Sequence, residues 1–87
     1  MPRIVIVHAV KDLKHWTSKH GERVDAFAPF GSDLTDHVSA DGSKNVAVTI
    51  NVQDMDGLHK MLKDPKAAAL KASHGVVEPL TMFMQPH

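Results

Sequence analysis

The chain has 87 residues, with ten Lys and Arg balanced by ten Asp and Glu, so its formal net charge is zero. This balance argues against a nucleic-acid partner, and the absence of cysteine excludes disulfides, zinc–thiolate sites and thiol nucleophiles. We expect one domain over residues 1–87, in a cytoplasmic protein without a membrane partner, because the first apolar run is too short to span a bilayer and lacks a signal-peptide pattern.

The first strand is the most informative segment. Residues 3–10 read Arg-Ile-Val-Ile-Val-His-Ala-Val, and strand side chains alternate between two sides, so both faces of this strand are apolar. A chain of this length can cover one of those faces with its own helices. The pattern leaves open whether the side of Ile6 and His8 or the side of Val5 and Val7 would line a cavity.

A helix is predicted to follow, because Asp12 is a favourable N-cap and apolar side chains then recur at helical spacing. The predicted buried stripe consists of Leu13, Trp16, His20, Val24 and Phe27. Gly21 weakens this helix by roughly 1 kcal/mol relative to alanine, and Pro29 with Gly31 ends it.

A β-hairpin is predicted next, with a loop of residues 40–42 and Gly42 in the left-handed region. Pairing Ser39 with Ser43 sorts the side chains by polarity. One face then carries Leu34, Val38, Val46, Val48 and Ile50, and the other carries Thr35, His37, Ser39, Ala47, Thr49 and Asn51. This separation supports the pairing, because a shift by one residue would mix the two sets.

A second helix begins after the hairpin. Asp54 or Asp56 caps it, and Asp64 with Pro65 restarts it, since an Asp cap followed by proline is typical of a first helical turn. Gly75 is predicted to end this helix in a left-handed conformation.

The final strand is predicted from Val76 to Gln85, at a sheet edge, because Pro79 cannot donate a ladder hydrogen bond. The element order is then β-α-β-β-α-β. Two right-handed crossovers give the α+β, ferredoxin-like fold, in which strands 1 and 3 are central in a four-stranded antiparallel sheet and both helices cover one face.

Large apolar side chains remain on the helix-free face of this sheet whichever way strands 1 and 4 are turned. Each one left hydrated forgoes roughly 1.5–3 kcal/mol, a sizeable share of the roughly 5–15 kcal/mol that stabilises a small domain. A second copy packed face to face would cover them. We therefore expect a homodimer, with the polar side chains of this face lining a cavity between the sheet and its partner.

Several short segments carry a family resemblance. They are His8-Ala9-Val10-Lys11-Asp12 followed by Trp16, then Asp64-Pro65, Gly75-Val76 and Pro79. With the element order, they resemble the ferredoxin-like dimeric α/β-barrel superfamily, and most of all its small single-domain members. That superfamily includes cofactor-free monooxygenases, polyketide cyclases, muconolactone-type isomerases and haem-degrading enzymes. The resemblance implies a homodimer with a small-molecule cavity beneath the helices of each half.

His8 is the candidate catalytic residue, because it lies in the most apolar strand of the chain. Burial lowers the pKa of an imidazole and keeps it neutral, so that it can act as a general base. The structural alternative is a hydrogen-bonded core histidine.

Five further residues are candidates for ligand binding. His37, Thr49 and Asn51 share one face of the hairpin and could orient a carbonyl or hydroxyl group. Trp16 could stack on an aromatic ligand, and His74 would lie at the cavity mouth. The structural alternatives are a solvated edge histidine, a tryptophan that fills the core, and a histidine that caps a helix C-terminus.

No metal and no tightly held cofactor are expected, because no pair of histidines has the spacing of a helical zinc site. Residues 54–57 match only a fragment of a calcium loop, so helix capping is preferred. Pro2 after the initial methionine resembles the amino-terminal general base of tautomerases and is a lesser alternative.

The sequence therefore predicts a homodimer that binds a small, partly apolar organic molecule. It would transform this molecule by proton transfer, as in isomerisation or cyclisation, with His8 as acid or base and with His37 and Asn51 orienting the ligand. A non-catalytic ligand-binding or structural dimer is the main alternative, and haem degradation is a lesser one.

Overall fold

The computed structural model describes residues 3–84, so Pro2 and the predicted strand end at Gln85 lie outside the described residues. The strands are β1 (Arg3–Val10), β2 (Gly31–Val38), β3 (Asn45–Val52) and β4 (Val76–Met84). The helices are α1 (Leu13–Ser18), α2 (His20–Phe27), α3 (Met55–Lys63) and α4 (Pro65–Ser73). None of the helices within residues 3–84 has the length and apolar character needed to cross a bilayer.

The four strands form one antiparallel sheet in the order β2-β3-β1-β4. This order confirms the predicted ferredoxin-like α+β fold, with β1 and β3 central and β4 at an edge. Alternate residues of β1, from Ile4 to Val10, are buried against the helices, where Trp16, Phe27 and Leu58 pack on the sheet. The other face of the sheet carries no helix in the described part of the chain.

The first predicted helix is divided into α1 and α2, which corrects the single helix expected from the sequence. The Lys19 N–H donates to the Trp16 carbonyl at 3.1 Å, so α1 closes with a tight turn and the helix restarts. The buried side of α2 also differs from the prediction. Val24, predicted inside, is 38% exposed, whereas Arg23 is only 4% exposed.

The hairpin register differs from the prediction by two residues. The Ser39 N–H donates to the Asn45 carbonyl at 3.1 Å, and Val38 lies opposite Val46. The loop is longer than predicted because the Asp41 carboxylate accepts from the Ser43 N–H at 2.8 Å and holds residues 40–44 in turns. An even shift preserves the two faces, so the predicted sorting of side chains is confirmed.

The helix ends agree with the sequence signals. Asp54 caps α3 by accepting from the Gly57 N–H at 2.9 Å, and Asp64 caps α4 by accepting from the Lys66 N–H at 2.8 Å. Gly75 follows α4 with φ of +71°, the left-handed conformation that a residue without a Cβ adopts readily.

The ladder between β1 and β4 is interrupted next to His8. Val7 pairs with Thr81 and Ala9 pairs with Val77, so the extra β4 residues form a bulge opposite His8. Bulges redirect side chains and open the ladder locally. The regular pairing of β1 with β4 is therefore lost at His8.

Candidate ligand-binding site

Three of the predicted site residues, His8, Trp16 and His74, line one cavity of about 60 Å³. The cavity lies between the helices and the sheet. Most of its remaining wall is apolar and includes Ile6, Phe27, Val48, Met61, Leu62, Leu70 and Leu80. The side-chain pattern of the sequence predicts a cavity between the sheet and a partner. This one lies on the other side of the sheet, where the family resemblance implied it.

His8 is held as one tautomer by its neighbour in β1. Its Nδ1 lies 2.9 Å from the Ala9 carbonyl oxygen, which can only accept a hydrogen bond, so Nδ1 donates and Nε2 carries the lone pair. Burial lowers the pKa of His8 and outweighs the Ala9 hydrogen bond, which raises it; the charge of Arg23 lowers it further. His8 is therefore a neutral imidazole with a basic nitrogen near neutral pH.

His74 is fixed in the opposite sense. The Arg23 Nη1 lies 3.1 Å from its Nδ1, and a guanidinium can only donate, so Nδ1 accepts and the proton is on Nε2. Burial lowers the pKa of His74, and the Arg23 charge lowers it further. The predicted helix-capping role needed a charged imidazole, whereas this environment favours the neutral ring.

Arg23 and Asp36 complete the wall and were missed in the sequence. The Arg23 guanidinium donates to both carboxylate oxygens of Asp36 and lies 4.0 Å from the centroid of the Trp16 ring. Two signals were present: Asp36 alternates with Leu34 and Val38 on the apolar face of β2, and Arg23 follows Trp16 by two helical turns. A carboxylate on an apolar face predicts a buried cation opposite it.

His20 occupies the outer side of this ion pair. Its Nδ1 lies 2.9 Å from an oxygen of Asp36, without the alignment of a hydrogen bond. The ring is half-exposed, so His20 lies at the boundary of the core and not inside the predicted buried stripe.

Two buried N–H groups in the cavity wall are without partners. Trp16 Nε1 and His74 Nε2 are both inaccessible to solvent, and neither has a hydrogen-bond partner within residues 3–84. A buried donor left unpaired costs about 1–3 kcal/mol. The residues that line the cavity thus include one with a free lone pair, His8, and two with N–H groups that have no protein partner, Trp16 and His74.

The remaining predicted ligand contacts lie on the opposite, helix-free face of the sheet. There Arg3 donates to the Asn51 side-chain oxygen at 2.8 Å and to the Thr49 hydroxyl at 2.9 Å. His37 Nε2 lies 3.0 Å from the same hydroxyl. The sheet therefore separates His37, Thr49 and Asn51 from His8, and they form a surface cluster that cannot reach a ligand in the cavity.

In the part of the chain that the structure describes, acidic and histidine side chains do not gather into a chelating group. Within residues 3–84, no three His, Asp or Glu side chains converge as metal ligands would. The calcium-loop fragment at residues 54–57 is occupied by capping of α3.

No protein-family profile matches the chain, and no curated protein matches it by sequence. Solved structures do match over its whole length. SnoaB, a cofactor-independent oxygenase from Streptomyces nogalater, superposes with a TM-score of 0.73 at 14% identity over 99% of this chain and 93% of that one. An antibiotic biosynthesis monooxygenase superposes with a TM-score of 0.65 at 9% identity, over 100% of this chain and 98% of that one.

A conserved protein from Methanosarcina mazei Go1 superposes with a TM-score of 0.67 at 10% identity, over 97% of this chain and 89% of that one. These superpositions establish the fold, and at identities this low they leave the reaction open. The chain has the ferredoxin-like α+β fold of the antibiotic biosynthesis monooxygenase structures.

Proposed function

We propose that this chain binds a small, partly apolar carbonyl compound in the cavity beneath its helices and removes a proton from the carbon beside the carbonyl. The observation that carries the proposal is the pairing, in one apolar cavity, of a neutral His8 with two unpartnered N–H donors. A base and oxyanion donors in a water-poor site are what enolisation needs.

The chemistry follows from the contacts. His8 Nε2 takes the proton from the carbon, the C–H electron pair becomes the new C=C bond, and the carbonyl electrons move onto oxygen. Trp16 Nε1–H and His74 Nε2–H would donate to the resulting oxyanion. In a β,γ-unsaturated ketone, return of the proton from His8 to the γ carbon completes an isomerisation. In a compound with a second carbonyl, the enolate carbon forms a C–C bond to that carbonyl carbon, and the new alkoxide takes the proton from His8, which completes a cyclisation.

The cavity size limits what enters. At about 60 Å³ it is far smaller than ordinary ligand pockets of roughly 300–1,000 Å³. The reacting group alone would fit inside, with the rest of the ligand at the half-exposed wall formed by Met61, Leu62 and Leu70. Haem does not fit a space of this size, which argues against the haem-degrading alternative.

The test is hydrogen–deuterium exchange of cyclohexanone in D₂O, followed by proton NMR. We expect the protein to accelerate exchange beyond the buffer rate, and His8→Gln to lower that acceleration about 100-fold. His59→Gln is the matched control, because His59 is exposed on α3. Equal rates for wild type and His8→Gln would remove His8 as the base. Binding of the ketone without exchange would leave the ligand-binding alternative.

Oxygenation is a second candidate. It is supported by the likeness in fold to SnoaB, a cofactor-independent oxygenase. The same proton removal would then supply a carbanion that passes electrons to O₂. An oxygen electrode separates the two reactions, because enolisation consumes no oxygen. Oxygen uptake that disappears in His8→Gln would favour the oxygenase.

We further propose that the chain is a homodimer joined through the helix-free face of the sheet. Val5, Val7, Ala9 and Phe83 lie on this face, and Phe83 is 56% exposed. Exposed patches of aliphatic and aromatic side chains favour association. A second copy packed on this face would remove the apolar surface from water. The polar cluster of Arg3, His37, Thr49 and Asn51 would then lie in the interface rather than in a ligand site.

A further inference from the structure

Arg23 makes more contacts than an ion pair with Asp36 requires. Its guanidinium is buried, donates to both oxygens of Asp36, has its Cζ over the Trp16 ring at 4.0 Å from the centroid, and places Nη1 3.1 Å from His74 Nδ1. The carboxylate and the indole fix the plane of the guanidinium, so its third contact has a fixed direction. In this direction the Arg23 Nη1 meets Nδ1 of His74.

The contact decides where His74 carries its proton. A guanidinium has only donors, so a hydrogen bond to Nδ1 requires a lone pair there. The ring must then be neutral with its proton on Nε2, and Nε2 is the buried atom without a protein partner. In the same cavity His8 has the reverse arrangement, with Nδ1 donating to Ala9 and the lone pair on Nε2.

We propose that Arg23 is a positioning residue, which Asp36 and Trp16 hold in place so that it fixes His74 as the Nε2–H tautomer and gives the cavity that His8 also lines a hydrogen-bond donor. A ligand oxygen that both donates and accepts would be bound by the two histidines together. Only this ligand part rests on the function proposed above; the tautomers are properties of the free protein.

The direct test is ¹⁵N NMR of the histidine rings in the ligand-free protein, since protonated and unprotonated ring nitrogens differ in chemical shift. We expect the Nε2–H tautomer for His74, the Nδ1–H tautomer for His8, and a coupling across the hydrogen bond from the Arg23 guanidinium to His74 Nδ1. The Nδ1–H tautomer of His74 in the wild type would overturn the proposal.

Variants separate positioning from packing. In Arg23→Met we expect the Nδ1–H population of His74 to rise at least fivefold and its pKa to rise, because the donor and the positive charge are gone. Arg3→Met, on the opposite face, should change neither. A folded Arg23→Met with an unchanged His74 spectrum would mean that Arg23 only packs. If Arg23→Met does not fold, the wild-type coupling decides: its presence supports the proposal and its absence overturns it.

Phenol and toluene serve as probes of the ligand part, because they differ by one hydroxyl. We expect the wild type to prefer phenol, and Arg23→Met to lose roughly five- to tenfold of that preference while toluene binding is kept. Correct tautomers without any phenol preference would count against the proposed function and leave the positioning role intact. A phenol preference that survives in Arg23→Met would overturn the link between Arg23 and the ligand.

Discussion

The two buried histidines of the cavity have a lowered pKa for the same two reasons, burial and the nearby charge of Arg23. His8 and His74 are 7% and 2% exposed, and burial is the largest cause of the lowered pKa of each. Arg23 adds a second cause for both, since its charge opposes a further positive charge nearby. The ion pair with Asp36 therefore allows a cation to stay buried while the histidines remain uncharged.

This arrangement predicts a loss of stability in mild acid. The folded pKa of each histidine lies below the unfolded value of 6.5, so the unfolded chain binds protons first as the pH falls. The stabilisation is complete above pH 6.5 and declines below it, by up to about 1.4 kcal/mol per pH unit for each histidine. Urea unfolding at about pH 7.5 and pH 5.5, where few carboxylates titrate, measures the decline.

His74→Gln should weaken that pH dependence, and His59→Gln should leave it unchanged because His59 is exposed. An identical loss of stability in wild type and His74→Gln would show that His74 does not contribute.

Much of this chemistry was open to sequence reasoning, which identified His8, Trp16 and His74. The partner that fixes them was not identified, because the predicted buried stripe included Val24 and not Arg23, whereas Arg23 is buried and Val24 is exposed.

Among the elements, the start of β2 is held against β3 with no spare room. A Cβ added to Gly31 would overlap the carbonyl oxygen of Asn51, a backbone atom that cannot move aside without disturbing the sheet. Gly21, near the start of α2, has no atom within 4 Å of the corresponding position. A methyl group would therefore clash with the backbone at Gly31 and would meet no atom at Gly21.

Gly31→Ala should destabilise the protein by about 1–3 kcal/mol, because the methyl group forces the two strands apart. Gly21→Ala should be neutral or stabilising, by up to about 1 kcal/mol, because alanine loses less backbone entropy in a helix. Thermal unfolding of both variants against wild type checks the pair. Equal effects of the two substitutions would contradict the close approach at Gly31.

At the scale of the whole molecule, the helices cover one face of the sheet and leave the other open. Phe83 and Val77 of β4 are exposed on the open face beside Val5 and Val7. The exposed apolar residues Met82 and Met84 alternate with them along the same edge strand. The proposed dimer would cover the open face and leave the cavity beneath the helices accessible in each subunit.

Phe83→Glu should shift the protein from dimer to monomer in sedimentation velocity at micromolar concentration, because the interface would bury an unpaired carboxylate. Val38→Glu is the matched control, since Val38 is 54% exposed but lies on the helix side of the sheet at its other edge. Wild-type protein that sediments as a folded monomer would contradict the dimer. So would a Phe83→Glu variant that remains dimeric.

The sequence by itself determined the element order, the central position of β1 and the two faces of the hairpin, because strand alternation, helix caps and prolines are local signals read over a few residues. It also indicated that His8 is buried. The tertiary structure decided what depends on distant segments: the hairpin register, the bulge opposite His8, and the placement of His37, Thr49 and Asn51 away from the cavity. It also decided the contact from Arg23 to His74, 51 residues apart in the chain, because no periodicity in the sequence specifies a pairing that packing alone creates.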